Sequence, residues 1–165
     1  MATSQLRDKL VDSIEDAHAM EANVLRMLDS MIGTTNDGQV KKMLEHHKDE
    51  TKEQIQRLED RLKSYGHSAA PQKDAPMVAA ALLKGLADRA RSDKPAMNAR
   101  DGFTTEHLEI ATYELLERLA SRAGDARTAA VARRNRKQEE QMAKKISSNW
   151  DKFVELTLKE EGVSS

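Results

Sequence analysis

The stretch that most constrains this chain lies between Leu10 and Met31. Apolar residues fall at Leu10, Ile14, Ala17, Val24, Leu28 and Met31, in steps of three and four apart from one gap, the spacing of a single buried helix face. The missing step, between Ala17 and Val24, lands on Glu21. A carboxylate inside a core stripe has to be protonated, hydrogen-bonded, paired or metal-bound, because burying a bare charge costs several kcal/mol. The rest of the chain can be read by asking what Glu21 faces.

Three further long helical patterns each carry the same interruption. The first helix is expected over about 4–32, capped by Ser4 and stopped by Gly33. The turn GTTNDG is short enough to return an antiparallel second helix over about 37–65. That helix has Val40, Met43, Leu44, Ile55, Leu58, Leu62 and Tyr65 on its apolar side, with His47, Glu50, Thr51 and Gln54 filling the middle. A crossover follows, with two prolines in HSAAPQKDAP and a short helix over about 77–91. SDKP starts a third long helix over about 95–123, with proline in the first turn, where its missing N–H does no harm. Its inner face reads Phe103, Ile110, Tyr113 and Leu116, with Glu106 and Glu109 between. A fourth helix over about 126–159 has the stripe Val131, Asn135, Glu139 (or Gln138), Met142, Ile146, Trp150, Phe153 and Leu156. Two antiparallel pairs joined by one long crossover make an all-α, ferritin-like four-helix bundle with an additional short helix in the crossover. At 165 residues a single domain over 1–165 is expected.

The interruptions match in height. At roughly 1.5 Å of rise per residue, Glu21 lies roughly 18 Å before the first turn, and His47 and Glu50 lie roughly 14 to 18 Å after it. Glu109 and Glu139 each lie roughly 22 Å from the turn at Gly124, with Glu106 one turn further along. Each of the four helices therefore brings an inward acid to mid-length. Several carboxylates in one dry layer repel strongly, and divalent cations would neutralise them. Oxygen donors with an imidazole suit iron, manganese or zinc. Di-metal carboxylate bundles commonly use two Glu-x-x-His pairs. Here the inward pairs are His47-x-x-Glu50 and Glu106-x-x-Glu109, and the Glu15/His18 pair projects away from the stripe.

HHKDETKEQIQRLE (46–59) resembles the H-L-E-E-T-x-x-Q-I-E-R-L-E stretch of the bacterial YciF-type ferritin-like proteins. TEHLEIATYELLERLA (105–120) resembles that family's V-E-H-Y-E-I-A-S-Y stretch, and DAHAMEANVL (16–25) its D-x-Y-x-A-E-x-Q-L pattern, with Glu21 at the acidic position. The resemblance implies a ferritin-like fold, a homodimer, and a metal site between the helices of a stress-associated protein. Carried onto this chain, the implied ligands are Glu21, Glu50, Glu106, Glu109 and Glu139, with His47 close by. Where that family's fourth helix has a further acid, this chain has Ala143.

The functional expectation is a bundle binding one or two metal ions, iron first, with ferroxidase or peroxide-consuming chemistry if it is a di-metal oxidoreductase. The alternative is a metal-poor structural or partner-binding dimer without catalysis. Cysteine is absent, which removes disulfides, thiolate ligands and cysteine nucleophiles together. No run of 18 apolar residues occurs and MATSQLRDKL has no apolar signal region, so no membrane contact and a cytoplasmic location are expected. Charged residues are 33% of the chain, yet the net charge is -1, and the basic run Arg133 to Lys137 has no interleaved aromatics. Nucleic acid is therefore not an expected partner. A gel shift with duplex DNA at physiological salt should show no retardation, and a retarded band would contradict this reading.

Overall fold

A computed structural model describes residues 2–68 and 94–163. The short helix expected at 77–91 lies outside the described residues. Five helices are described: α1 (Ala2–Thr34), α2 (Gly38–Ser64), α3 (Lys94–Arg122), α4 (Ala126–Ser147) and α5 (Trp150–Glu160). The most extensive packing is of α1 on α2 and α3 on α4, and α1 against α3 and α2 against α4 join the two pairs.

Two apolar clusters fill the bundle, one towards each end. One unites Leu10, Ile14 and Met20 of α1 with Leu58 and Leu62 of α2, Tyr113 and Leu116 of α3, and Ala129 and Ala132 of α4. The other unites Val24 and Leu28 of α1 with Leu44 of α2, Ala99 of α3, Met142 and Ile146 of α4, and Phe153 of α5. The first half of α1 thus meets the second half of α2, and the end of α3 meets the start of α4, so both pairs are antiparallel. Along every long helix the residues between the two clusters are buried and polar: Glu21; His47, Thr51 and Gln54; Glu106 and Glu109; Asn135 and Glu139. The bundle is a polar layer held between two apolar ends.

Side chains set the helix ends. Asp37 caps α2, its Oδ1 accepting from the amides of Gln39 at 3.0 Å and Val40 at 2.8 Å. Asp125 caps α4 through the amides of Arg127 and Thr128 at 3.1 and 3.0 Å. Its other oxygen accepts from Arg61 at 2.9 Å and Tyr65 at 2.6 Å, which ties the end of α2 to the start of α4. Gly124, just before that cap, has φ +74°, a left-handed turn conformation that glycine adopts without penalty.

The structure corrects the reading at three places. Gly33 does not stop α1, which continues to Thr34, where the hydroxyl bonds back to the carbonyls of Ser30 and Met31 at 3.1 and 3.2 Å. The fourth helix is not continuous. At Ser147, Ser148 and Asn149 three short polar side chains bond back to the carbonyls of Lys144 and Lys145 at 2.7 to 3.1 Å, competing with the helical ladder, and α5 starts afresh at Trp150. After this break Trp150 is 37% exposed while Phe153 stays in the core. Ile110 is only half-buried, because the inner face of α3 runs through Ala99, Gly102, Glu106, Glu109, Tyr113 and Leu116.

Asp125 supports both a cap and an inter-helix pair. Partial burial pushes its carboxyl up, but the hydrogen bonds from Thr128, Tyr65 and Arg61 outweigh this and hold it well below its ordinary 3.8. Its stabilising contribution is therefore full above pH 3.8 and is lost as pH falls below that value. Asp125→Ala should lower stability at neutral pH by about 1–3 kcal/mol in denaturant melts. A change within error would contradict this account of the α2–α4 junction.

Candidate metal centre

The polar layer holds four acids and one imidazole, supplied by all four long helices. One ligand atom from each of His47, Glu106, Glu109 and Glu139 lies within 4.8 Å of the others, and all four residues are buried; Glu21 and Glu50 lie outside this group. His47 Nε2 stands 3.3 Å from Glu106 Oε1 and 3.4 Å from Glu139 Oε2. The opposite ring nitrogen, Nδ1, lies 3.4 Å from Glu50 Oε2. Glu50 is thus on the solvent side of the imidazole, outside the group of four, where it can orient the ring.

Glu21 is fully buried and accepts a hydrogen bond from the Tyr113 hydroxyl. That hydroxyl accepts from Asn135 Nδ2 at 3.0 Å, and Asn135 Oδ1 accepts from Arg57 at 2.6 Å. A chain of three bonds therefore runs from Arg57, near the surface, to Glu21. Glu139 accepts from Gln54, whose amide also reaches Gln138 at 3.3 Å. In sequence Tyr113 reads as core packing, and Asn135, Gln54 and Arg57 are not singled out beside the acids. Spacing held the signal: Gln54 is seven residues after His47 and Asn135 four before Glu139, on the same helix faces.

These bonds leave many buried atoms unsatisfied. With the acids ionised, both oxygens of Glu109 and one oxygen each of Glu21, Glu106 and Glu139 have no hydrogen-bond donor among the described residues, and His47 Nε2 makes only the long ion-pair contacts to Glu106 and Glu139. Buried polar atoms are rarely left so, and here those of His47, Glu106, Glu109 and Glu139 sit side by side. Oxygen and imidazole donors converging in this way fit a divalent transition-metal ion.

Residues 5–159 match the family described as a domain of unknown function, DUF892. The chain belongs to that family. Its fold is similar to that of a protein from Xanthomonas campestris pv. campestris, with a TM-score of 0.80 at 24% identity over 96% of this chain and 99% of that one. It is also similar to the E. coli stress protein YciF, with a TM-score of 0.79 at 18% identity over 91% and 97% of the two chains. Dps from Thermosynechococcus elongatus matches with a TM-score of 0.75 at 13% identity over 90% and 94%. The fold of this DUF892 chain is ferritin-like, as its helix pattern implied. No helix among the described residues is long and apolar enough to cross a membrane.

Burial dominates the protonation of the layer. It raises the Glu21 carboxyl to about 7, although the Tyr113 hydrogen bond and His47 pull the other way. It raises Glu109 and Glu139 well above the carboxylate range, each aided by its acidic neighbours. For His47 burial acts downward, but Glu106, Glu50 and Glu139 outweigh it, and the imidazole is raised well above its ordinary 6.5. Glu50, paired with His47, is lowered despite its partial burial. Without a cation, the layer lowers its charge by holding protons.

The sign of the resulting pH dependence follows. Unfolded Glu21 releases its proton near 4.5 and the folded protein keeps it to about 7, so folding takes up a proton across that window. His47, raised in the folded state, adds stability below 6.5 that is lost as pH rises through its folded value. Chelator-treated protein should therefore lose stability as pH rises from 4.5 to about 7 and beyond, read as a falling melting temperature. A melting temperature that rises steadily over that window would contradict the protonated layer.

Proposed function

We propose that this chain is a metal-binding ferritin-like protein whose buried layer takes one or two divalent ions, iron first. The observation that supports this most is that buried ligand atoms of His47, Glu106, Glu109 and Glu139 lie within 4.8 Å of one another. His47, Glu106, Glu109 and Glu139 would hold one ion. Glu109 is raised by the neighbouring carboxylates of both Glu139 and Glu21, so it is the residue suited to bridge towards a second ion beside Glu21. Bound ferrous iron would supply the electrons for reducing dioxygen or peroxide.

The protein's own groups prepare this chemistry. His47 Nδ1, held by Glu50, keeps Nε2 turned toward Glu106 and Glu139, and Nε2 would give up its proton to an incoming ion. Tyr113 holds one oxygen of Glu21 in place and, with the apolar clusters above and below, keeps bulk water out. The protons on Glu21, Glu109 and Glu139 leave as metal arrives, so affinity rises with pH. The E. coli relative is called a stress protein, and we extend a stress-associated role to this chain on that likeness. A homodimer is part of the same proposal; Leu115 on α3, 69% exposed, offers apolar surface to a second copy.

A second reading is favoured by the bonds from Tyr113 to Glu21 and from Gln54 to Glu139, which satisfy part of the layer without metal. On it, the bundle is a structural dimer whose acids stay protonated. Elemental analysis separates the two. Protein expressed with added iron should retain near-stoichiometric metal, and Glu109→Gln should remove most of it. The metal-free Glu109→Gln protein should also be more stable at pH 8 than metal-free wild type, by about 0.5–2 kcal/mol, since a buried acid has been replaced by a neutral amide. No metal in the wild type would leave the structural reading standing.

A further inference from the structure

A cavity of about 40 Å³ lies in the apolar end of the bundle formed by α1, α2, α3, α4 and α5. Methionines line it from three helices, Met27 and Met31 on α1, Met43 on α2 and Met142 on α4, together with Ile146 and Phe153. Among the described residues Glu106 is the only charged one that lines it, and Glu106 belongs to the buried acid layer. Thr34, Thr35, Pro95 and Asn98, all at least partly exposed, also line it and mark its solvent side. The cavity is thus an apolar space between the protein surface and the candidate metal centre.

Its size and lining select the occupant. A water needs roughly 10–15 Å³ on the same measure and two or more polar partners, and an apolar lining supplies few of them. Dry apolar cavities take up non-polar guests such as xenon, and benzene where the space is several-fold larger than here. A diatomic non-polar gas fits this volume and this surface. Hydrogen peroxide, a polar molecule with two donors, finds no partners along the methionine-lined middle of the space, between Glu106 at one side and Thr34, Thr35 and Asn98 at the other.

Gly102 supplies a second observation. It is buried in the interior of α3, one turn before Glu106, where glycine is less stable than alanine. Its φ is not positive, and an added Cβ would meet only Ile146 Cδ1 at 3.5 Å, an ordinary contact. The backbone therefore does not require glycine there. What its missing side chain does is leave the space beside Glu106 open.

We propose that the methionine-lined cavity bounded by Gly102 and Glu106 is a binding site for small non-polar gas molecules, and that it delivers dioxygen to the acid layer. The delivery step rests on the metal-binding reading; the gas site does not. Xenon-pressurised crystals of the metal-free full-length protein should show xenon in this cavity. Gly102→Leu should remove it, and Gly102→Ala, which keeps the helix, should reduce its occupancy. No xenon there in the wild type, or unchanged occupancy in both variants, would overturn the gas site. After iron loading, Gly102→Leu should slow oxygen consumption several-fold at unchanged iron content while leaving consumption of added hydrogen peroxide unchanged. An equal effect on both oxidants, or on neither, would overturn delivery. A wild type that binds xenon but no iron would mean that the metal-binding reading has failed and the gas site stands alone.

Discussion

Everything in this bundle depends on holding a layer of acids between two apolar ends. Glu21, Glu106, Glu109 and Glu139 are buried almost completely, with one imidazole among them. Such a layer is unfavourable for folding, because charged groups lose hydration and repel one another at short range. The apolar clusters on either side offset that cost, and the caps at Asp37 and Asp125 hold the helix ends in register. The same enclosure that makes the layer costly would favour a divalent cation, which would replace several displaced protons at once. On the proposed metal-binding reading, stability of the metal-free fold and affinity for metal oppose each other at these residues.

The architecture was legible because its signals are periodic and redundant. Four helical stripes, two short turns and a long crossover left little choice of topology, and the comparison with ferritin-like structures agrees. The polar layer was legible for the same reason: an acid on an apolar stripe stands out, and distance from a turn fixes its height. What could not be read was local competition. Ser147, Ser148 and Asn149 sit within a helical stripe, and only their bonds to the carbonyls of Lys144 and Lys145 reveal that the helix breaks there. Gly33 is a good stop signal that the adjoining Thr34 overrides by continuing the turn.

The finer chemistry of the site was legible only in part. Spacing placed His47, Glu106, Glu109 and Glu139 in one layer but could not say which way each carboxylate turns. Glu50, one turn from His47 on the same helix, reads as an equal candidate in sequence; in space it faces the outer nitrogen of the ring. Tyr113 fits an apolar stripe through its ring, and its hydroxyl shows its role only when Glu21 and Asn135 are seen beside it. The cavity next to Glu106 arises where five helices meet around a buried glycine, a property of assembled surfaces that no single helix pattern encodes.

Metal in the buried layer can be seen by anomalous diffraction from crystals of protein loaded with ferrous iron. A difference map at the iron edge should place a peak among His47, Glu106, Glu109 and Glu139, at coordination distance from Glu109. A map with no peak in that layer, while metal is present in the solution, would contradict the account.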